Sequence, residues 1–233
     1  LHMLLELPED APAAWHYMKA DGAPRFTILP TDAGFLIGGA RNAGATDTYW
    51  RMTQFLVPNH SLAPGSEQGQ NINGQTWVPI DDESCWIFCY TWNPDRPITH
   101  EEIDLMEGGG SSIHAVTDNN FRPIANRDND YLIDRDEQRT TSFTGISGIA
   151  TQDIYIQNSQ GSIYDRTKEH LGTTDQAIIE FRRIMLEKAR SLLEGQEPIE
   201  AQNSEAYFVR SGAEIAPREW QLEDVTAKRF EQE

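Results

Sequence analysis

Cysteine is almost missing from this 233-residue sequence, which holds only Cys85 and Cys89. A disulfide-stapled secreted scaffold is thereby excluded, and a reducing cytoplasm is the expected setting. The two cannot bond to each other. Four residues apart on a strand they stand about 13 Å apart, against the Cα separation of about 4.4–6.8 Å that a disulfide tolerates. They form no CxxC pair with a matching partner, so a structural zinc site is excluded as well. Their run, Cys85-Trp86-Ile87-Phe88-Cys89-Tyr90-Thr91-Trp92, is dense in aromatics and reads as a buried strand, with both thiols expected in the core.

Positive charge is scarce too: 19 Lys and Arg face 37 Asp and Glu, a formal net charge of −18. Nucleic-acid binding needs clustered cations and is excluded, as is attachment to an anionic membrane surface. No apolar run approaches the roughly 18 residues of a membrane-spanning helix, and no signal-peptide pattern opens the sequence. Familiar site motifs are also missing. Among the 6 histidines (His2, His16, His60, His100, His114 and His170) no two fall at i, i+4, so there is no helical metal pair. There is no GxSxG elbow, P-loop or GxGxxG. Gly108-Gly109-Gly110 follows a helical pattern rather than a strand, the wrong context for a phosphate cradle.

What is present has the grammar of an α+β domain. Arg25–Leu29 and Gly34–Ile37 flank the turn Pro30-Thr31-Asp32-Ala33. Thr48–Val57 alternates cleanly until Pro58, and Asn59–Asn73 reads as a polar loop. Thr76–Ile80 and Cys85–Trp92 form a second hairpin around Asp81-Asp82-Glu83-Ser84. Thr99 is a good N-cap for a short acidic helix over His100–Glu107, closed by the glycine run. Residues 108–150 carry little periodicity, and a segment of that length is usually a functional loop. Thr173 with Gln176 fits a capping box ahead of a long amphipathic helix that bears Ala177, Ile178, Phe181, Ile184, Met185 and Leu192. Gly195 stops it. The expected architecture is a curved antiparallel sheet packed against this long helix over residues 1–195, followed by an acidic extension, 196–233, with one apolar cluster at Tyr207-Phe208-Val209.

One segment is sharper. Asn129-Asp130-Tyr131-Leu132-Ile133-Asp134-Arg135 leads through Gln138-Arg139 and Phe143-Thr144-Gly145-Ile146 into Gln152-Asp153. It continues through Gln160-Gly161-Ser162-Ile163-Tyr164-Asp165-Arg166-Thr167-Lys168-Glu169-His170-Leu171-Gly172 to Asp175 and Arg182-Arg183. This ordered pattern closely resembles the catalytic domain of Rieske non-haem iron aromatic-ring oxygenases, in the phthalate dioxygenase-like branch. Upstream, Ala23-Pro24-Arg25-Phe26, Tyr49-Trp50-Arg51-Met52-Thr53 and Pro79-Ile80-Asp81-Asp82 are similar to that branch as well, so the resemblance spans about Ala23 to Arg190.

The resemblance implies a helix-grip (START-like) fold and a mononuclear Fe(II) held by two histidines and one carboxylate, a facial set that leaves positions open. By motif the carboxylate is Asp153, in the first turn of a helix capped by Thr151. His2 falls where the second histidine belongs, and the first lies ahead of Leu1; a cloning remnant at His2-Met3 is the bland rival. Also implied are a [2Fe–2S] Rieske cluster in a preceding domain, electrons from NAD(P)H through a reductase or ferredoxin, O2, an aromatic substrate and a homotrimer. The CxH and CxxH cluster ligands do not occur in this sequence. Hydroxylation or O-demethylation of an aromatic compound is the implied reaction. The alternative is a non-catalytic helix-grip module that binds an apolar ligand.

Other residues have plainer readings. His16 is expected as a packing residue and His170 in local hydrogen bonding. Asp165-Arg166 and Arg182-Arg183 are expected to dock the 161–172 turn on the long helix through ion pairs. An acidic residue is common at the Asn158 position in that branch, so a relay role and plain exposure both stay open there. Arg25, Arg41 and Arg51 are the candidates to clamp the carboxylate of an aromatic acid.

Overall fold

The computed structural model describes His2, residues 4–65 and residues 71–230. Its centre is one antiparallel sheet. The alternating stretches form β2 (Gly34–Ala43) and β3 (Asp47–Leu56), paired from Gly34–Leu56 to Ala43–Asp47. β1 (Arg25–Thr31) flanks β2, while β4 (His60–Ala63), β5 (Ile72–Pro79) and β6 (Cys85–Trp92) continue beyond β3. The far edge of β3 has two partners. β4 pairs with Gln54–Leu56, and β7 (Gly212–Pro217) pairs with Asp47–Met52.

Side-chain alternation gives the sheet two distinct faces. On the even-numbered face Leu36, Ala40, Trp50 and Met52 meet Ala216 of β7 and Leu222 and Val225 of α6 (Leu222–Phe230), forming the main core. On the odd-numbered face α1 (Ala13–Ala20) covers Ala43, Tyr49 and Ala213. Farther along that face α5 (Gln176–Leu193) sets Phe181 edge-on to Phe55, ring centroids 4.9 Å apart. Gly38 is where α6 comes closest: a Cβ there would stand 2.5 Å from Leu222 Cδ1. Gly38→Val is therefore expected to destabilise the fold by about 1–3 kcal/mol through overpacking, read as a lowered Tm with secondary structure retained.

Several expectations change. The segment 196–233 is no appendage, since β7 and α6 complete the sheet and supply the most buried side chains of the core. Its apolar cluster splits: Tyr207 and Val209 pack on Leu56 and Leu62, Tyr207 donates to the Val57 carbonyl at 2.7 Å, and Phe208 stays exposed. The supposed loop 59–73 holds β4 and the start of β5. Cys85 is exposed and Cys89 half-buried, not core thiols, because β6 is the last strand on its side of the sheet and neither of its faces is fully covered. Phe88 of β6 is 56% exposed.

The helix ends differ as well. α2 (His100–Glu107) has its Thr99–Glu102 capping box, and Arg96 adds two hydrogen bonds to the same carboxylate. The long helix instead starts after a 3-10 turn, Thr173–Asp175, in which the Asp175 carboxylate accepts from the Gly172 N–H at 2.7 Å. It ends as expected at Gly195, whose φ of +81° and the Gln196 N–H bond to Ser191 close the last turn. The 161–172 turn is docked by Glu169, which takes Arg182 at 2.5 and 2.8 Å. Asp165 meets Lys168, and Arg183 serves Glu180 and Glu187.

Candidate functional site

α4 (Ile149–Ser159) is capped not by Thr151 but by Gly148, whose φ of +80° lets the chain turn sharply. A side chain there would strike the Gly109 carbonyl at 2.6 Å, so the loop after α2 rests directly on the start of α4. Asp153 thus sits in the second turn of α4. The loop ahead of the helix is tightly bonded: the Ser142 hydroxyl accepts from Gly145 N–H, and the Thr144 hydroxyl from Ile146 N–H.

The amino-terminal segment lies against this loop. Leu4 bridges Ser142, and the Leu5 N–H donates to the Thr141 carbonyl at 2.8 Å. These contacts bring His2 over α4, with Nε2 3.3 Å from Asp153 Oδ1 and Nδ1 2.8 Å from Gln152 Oε1. Both side chains stay accessible, at 37% and 47% of their free surface. The hydrogen bond with Asp153 raises the His2 pKa against the lowering effect of burial. Among the described residues no group of three or more His, Cys, Asp or Glu could hold a metal ion. The other flagged histidines lie apart: His16 is exposed on α1, and His170 is exposed within the 161–172 turn. Asn158 is exposed, and its carbonyl accepts from Arg127.

An open cavity of ≈ 560 Å³ lies between α2 and residues 114–117, a size typical of small-molecule clefts. Ile98, Ile103, Met106 and Val116 give it apolar walls, and Thr91, Glu107 and His114 supply polar atoms. Thr91 shares the odd-numbered sheet face with α5. Its hydroxyl donates to Asn73 Oδ1 at 2.7 Å and so accepts from His114 Nε2 at 2.9 Å. Burial lowers the His114 pKa, favouring a neutral ring that offers Nδ1 as an acceptor. Composition alone could not single out His114; it needed the fold to bring residue 114 to β6.

On the same odd-numbered face, Arg41 and Arg51 share the space beneath α1. Arg41 Nε donates to the Asp21 carbonyl, and Arg51 donates to Met18 sulfur and the Pro64 carbonyl. Burial, and then the neighbouring Arg51 charge, lower the Arg41 pKa. Among the described residues Arg51 Nε is buried without a hydrogen-bond partner and neither guanidinium meets a carboxylate. Arg25 lies on the opposite face, since its register partner is Ala40 and that of Arg51 is Gly39.

Comparison with known proteins gives this arrangement a context. Residues 8–233 match the family described as LigXa C-terminal domain like. The chain is 31% identical over 242 residues to the oxygenase subunit of 3-chlorobenzoate-3,4-dioxygenase from Comamonas testosteroni, covering 97% of this chain and 55% of that protein. It is 34% identical over 191 residues to the oxygenase subunit of phthalate 4,5-dioxygenase from Pseudomonas putida, covering 79% of this chain and 42% of that protein. It therefore spans about half the length of these curated relatives.

Proposed function

The chain belongs to the LigXa C-terminal-domain-like family, a catalytic domain of Rieske-type oxygenases in the phthalate-like branch, and on that footing we propose that it is the iron-bearing, substrate-binding portion of an aromatic-ring oxygenase. The reaction in this reading is hydroxylation or O-demethylation of an aromatic compound with O2. Electrons come from NAD(P)H through a reductase or ferredoxin and a [2Fe–2S] Rieske cluster in an N-terminal domain. The fold is read as a helix grip, supported by α5 lying on one face of the sheet. A homotrimer working in the cytoplasm completes the reading, supported by the exposed Trp86, Phe88 and Tyr90 of β6 and by two free thiols.

The observation that carries the proposal is the meeting of His2 and Asp153, 3.3 Å apart though widely separated in sequence. An imidazole nitrogen and a carboxylate are the right donor chemistry for Fe(II). His2 and Asp153 would hold the metal together with the histidine that the resemblance puts ahead of Leu1. Bound there, the iron would supply the redox chemistry that activates O2. The chain's own residues do the rest: the walls formed by Ile98, Ile103, Met106 and Val116 take an apolar ring and exclude water from it, and His114 Nδ1 accepts a hydrogen bond from a ring substituent.

For a ring bearing a carboxylate, as the names of both relatives suggest, Arg41 and Arg51 are the cations on the sheet face that α1 and α5 share. Arg51→Gln in the full-length enzyme is expected to raise KM for an aromatic acid by roughly 10–100-fold, the worth of one charge-assisted hydrogen bond. A neutral analogue should be little affected. Equal losses for both would remove Arg51 from substrate recognition.

Iron analysis of the full-length protein, joined to NADH-driven oxygen uptake with a reductase, tests the whole reading. Iron beyond that of the cluster and uptake that depends on an aromatic compound are expected. Iron-free protein that binds the ring without uptake would favour the ligand-binding module instead. The coding sequence upstream of Leu1 discriminates too: CxH…CxxH followed by DxxHxxxxH belongs to the oxygenase.

A further inference from the structure

Gln152 precedes Asp153 on α4 and is 7% exposed. Its amide has both ends committed. Nε2 donates to the Ile146 backbone carbonyl at 2.9 Å, and Oε1 stands 2.8 Å from His2 Nδ1. A carbonyl oxygen can only accept, so the amide cannot be turned round without setting two acceptors against each other. Oε1 must therefore accept, and among the described residues the group that faces it is His2 Nδ1, which must carry the hydrogen. Nε2, which without metal donates to Asp153 Oδ1, is then the nitrogen whose proton a cation would replace.

From this geometry we infer that Gln152 is a positioning residue that locks His2 in the Nδ1–H tautomer, presenting the Nε2 lone pair and the Asp153 carboxylate to a single divalent cation. The inference rests on the reading of His2 and Asp153 as ligands. It assigns to Gln152 a part that neither ligand can play for itself. Two adjacent residues on one helix divide the work: Asp153 supplies charge, and Gln152 supplies direction to a ligand from the other end of the chain. The anchor is the Ile146 carbonyl, held by the bonded loop of residues 142–148 rather than by solvent. A ligating histidine whose second nitrogen is fixed in this way keeps its tautomer and aim, and loss of such a partner commonly weakens metal affinity by about 10–100-fold.

The test reads the tautomer directly. Histidine-15N-labelled full-length protein, freed of its mononuclear iron, is followed by long-range proton–nitrogen correlation, with His2 assigned by its disappearance in His2→Gln. Once Zn(II) takes the place of the iron, wild type is expected to show a protonated Nδ1 and an unprotonated Nε2; Gln152→Leu should show a mixture of both tautomers. Titration with Zn(II) should shift Nε2 in wild type, with affinity about 10–100-fold lower in Gln152→Leu. A Zn(II)-loaded wild-type ring that binds the metal through Nδ1 and keeps its proton on Nε2 overturns the inference and needs no variant to fold. So does a Gln152→Leu protein that keeps the single tautomer and the full Zn(II) affinity. Failure of the underlying reading looks different: Zn(II) would leave the wild-type His2 nitrogens unmoved whatever their tautomer, and the claim that Gln152 serves a cation would fall with it.

Discussion

Asp153→Ala, made in the full-length oxygenase, is expected to abolish binding of the mononuclear iron and to reduce substrate-dependent oxygen uptake to background, while the protein stays folded. The separation of effects follows from the surroundings of the residue. The Asp153 carboxylate is 47% exposed and meets His2, so no buried partner is orphaned by its removal. A substitution of that kind normally changes stability by no more than about 0.5 kcal/mol. The metal, by contrast, would lose the anionic member of its donor set, and neutral imidazole alone is a much poorer partner for a hard divalent ion. Metal content by elemental analysis, read beside far-UV circular dichroism, separates the two. An Asp153→Ala protein that kept its iron and its turnover would sink the ligand assignment.

Deleting residues 196–233 is expected to do the reverse: to destroy the fold itself. β7 would be stripped from the edge of β3 along Asp47–Met52, baring a row of backbone groups at the centre of the sheet. Met52, 0% exposed, would lose the Leu222 and Val225 side chains that cover it. A graded form of the same experiment is Leu222→Ala. Leu222 is 1% exposed, so truncation is expected to cost about 2–5 kcal/mol. Urea unfolding reads both. A shortened chain that unfolded cooperatively at an undiminished midpoint would make the C-terminal segment the appendage its composition suggests.

Why the sequence misleads there is instructive. Alternation along Thr48–Val57 and the Thr99 N-cap are local signals, and both elements lie where those signals put them. β7 is local in no useful sense. Gly212-Ala213-Glu214-Ile215-Ala216-Pro217 is short, bears a charge and ends in proline; it is a strand because β3 offers it a long unpaired edge. The aromatic run Cys85–Trp92 errs the other way. Its β-propensity is real, but propensity says nothing of what lies over the strand, and here the row is exposed.

The candidate site divides along the same line. Asp153 and His2 both enter the candidate site through the resemblance, and no spacing rule links residues so distant. Gln152 and His114 were not legible as contributors. Their roles depend on the direction of an amide and on a loop brought to β6, and both are properties of the folded backbone. The shift of the α4 cap from Thr151 to Gly148 came from the close approach of Gly109, which no sequence window could contain.

The Leu4–Ser142 bridge has a consequence for the order of events. It ties together two points between which β1 through β6 are all threaded, so closing it draws on the loop entropy of most of the chain. Such a contact is favourable only after the intervening sheet has already shortened the distance to be closed, as in other topologies of high contact order. His2 is therefore expected to meet Asp153 only in molecules whose strands β1 to β6 are already paired. The site is expected to form late, so that its integrity reports on the folding of strands that contribute no ligand to it.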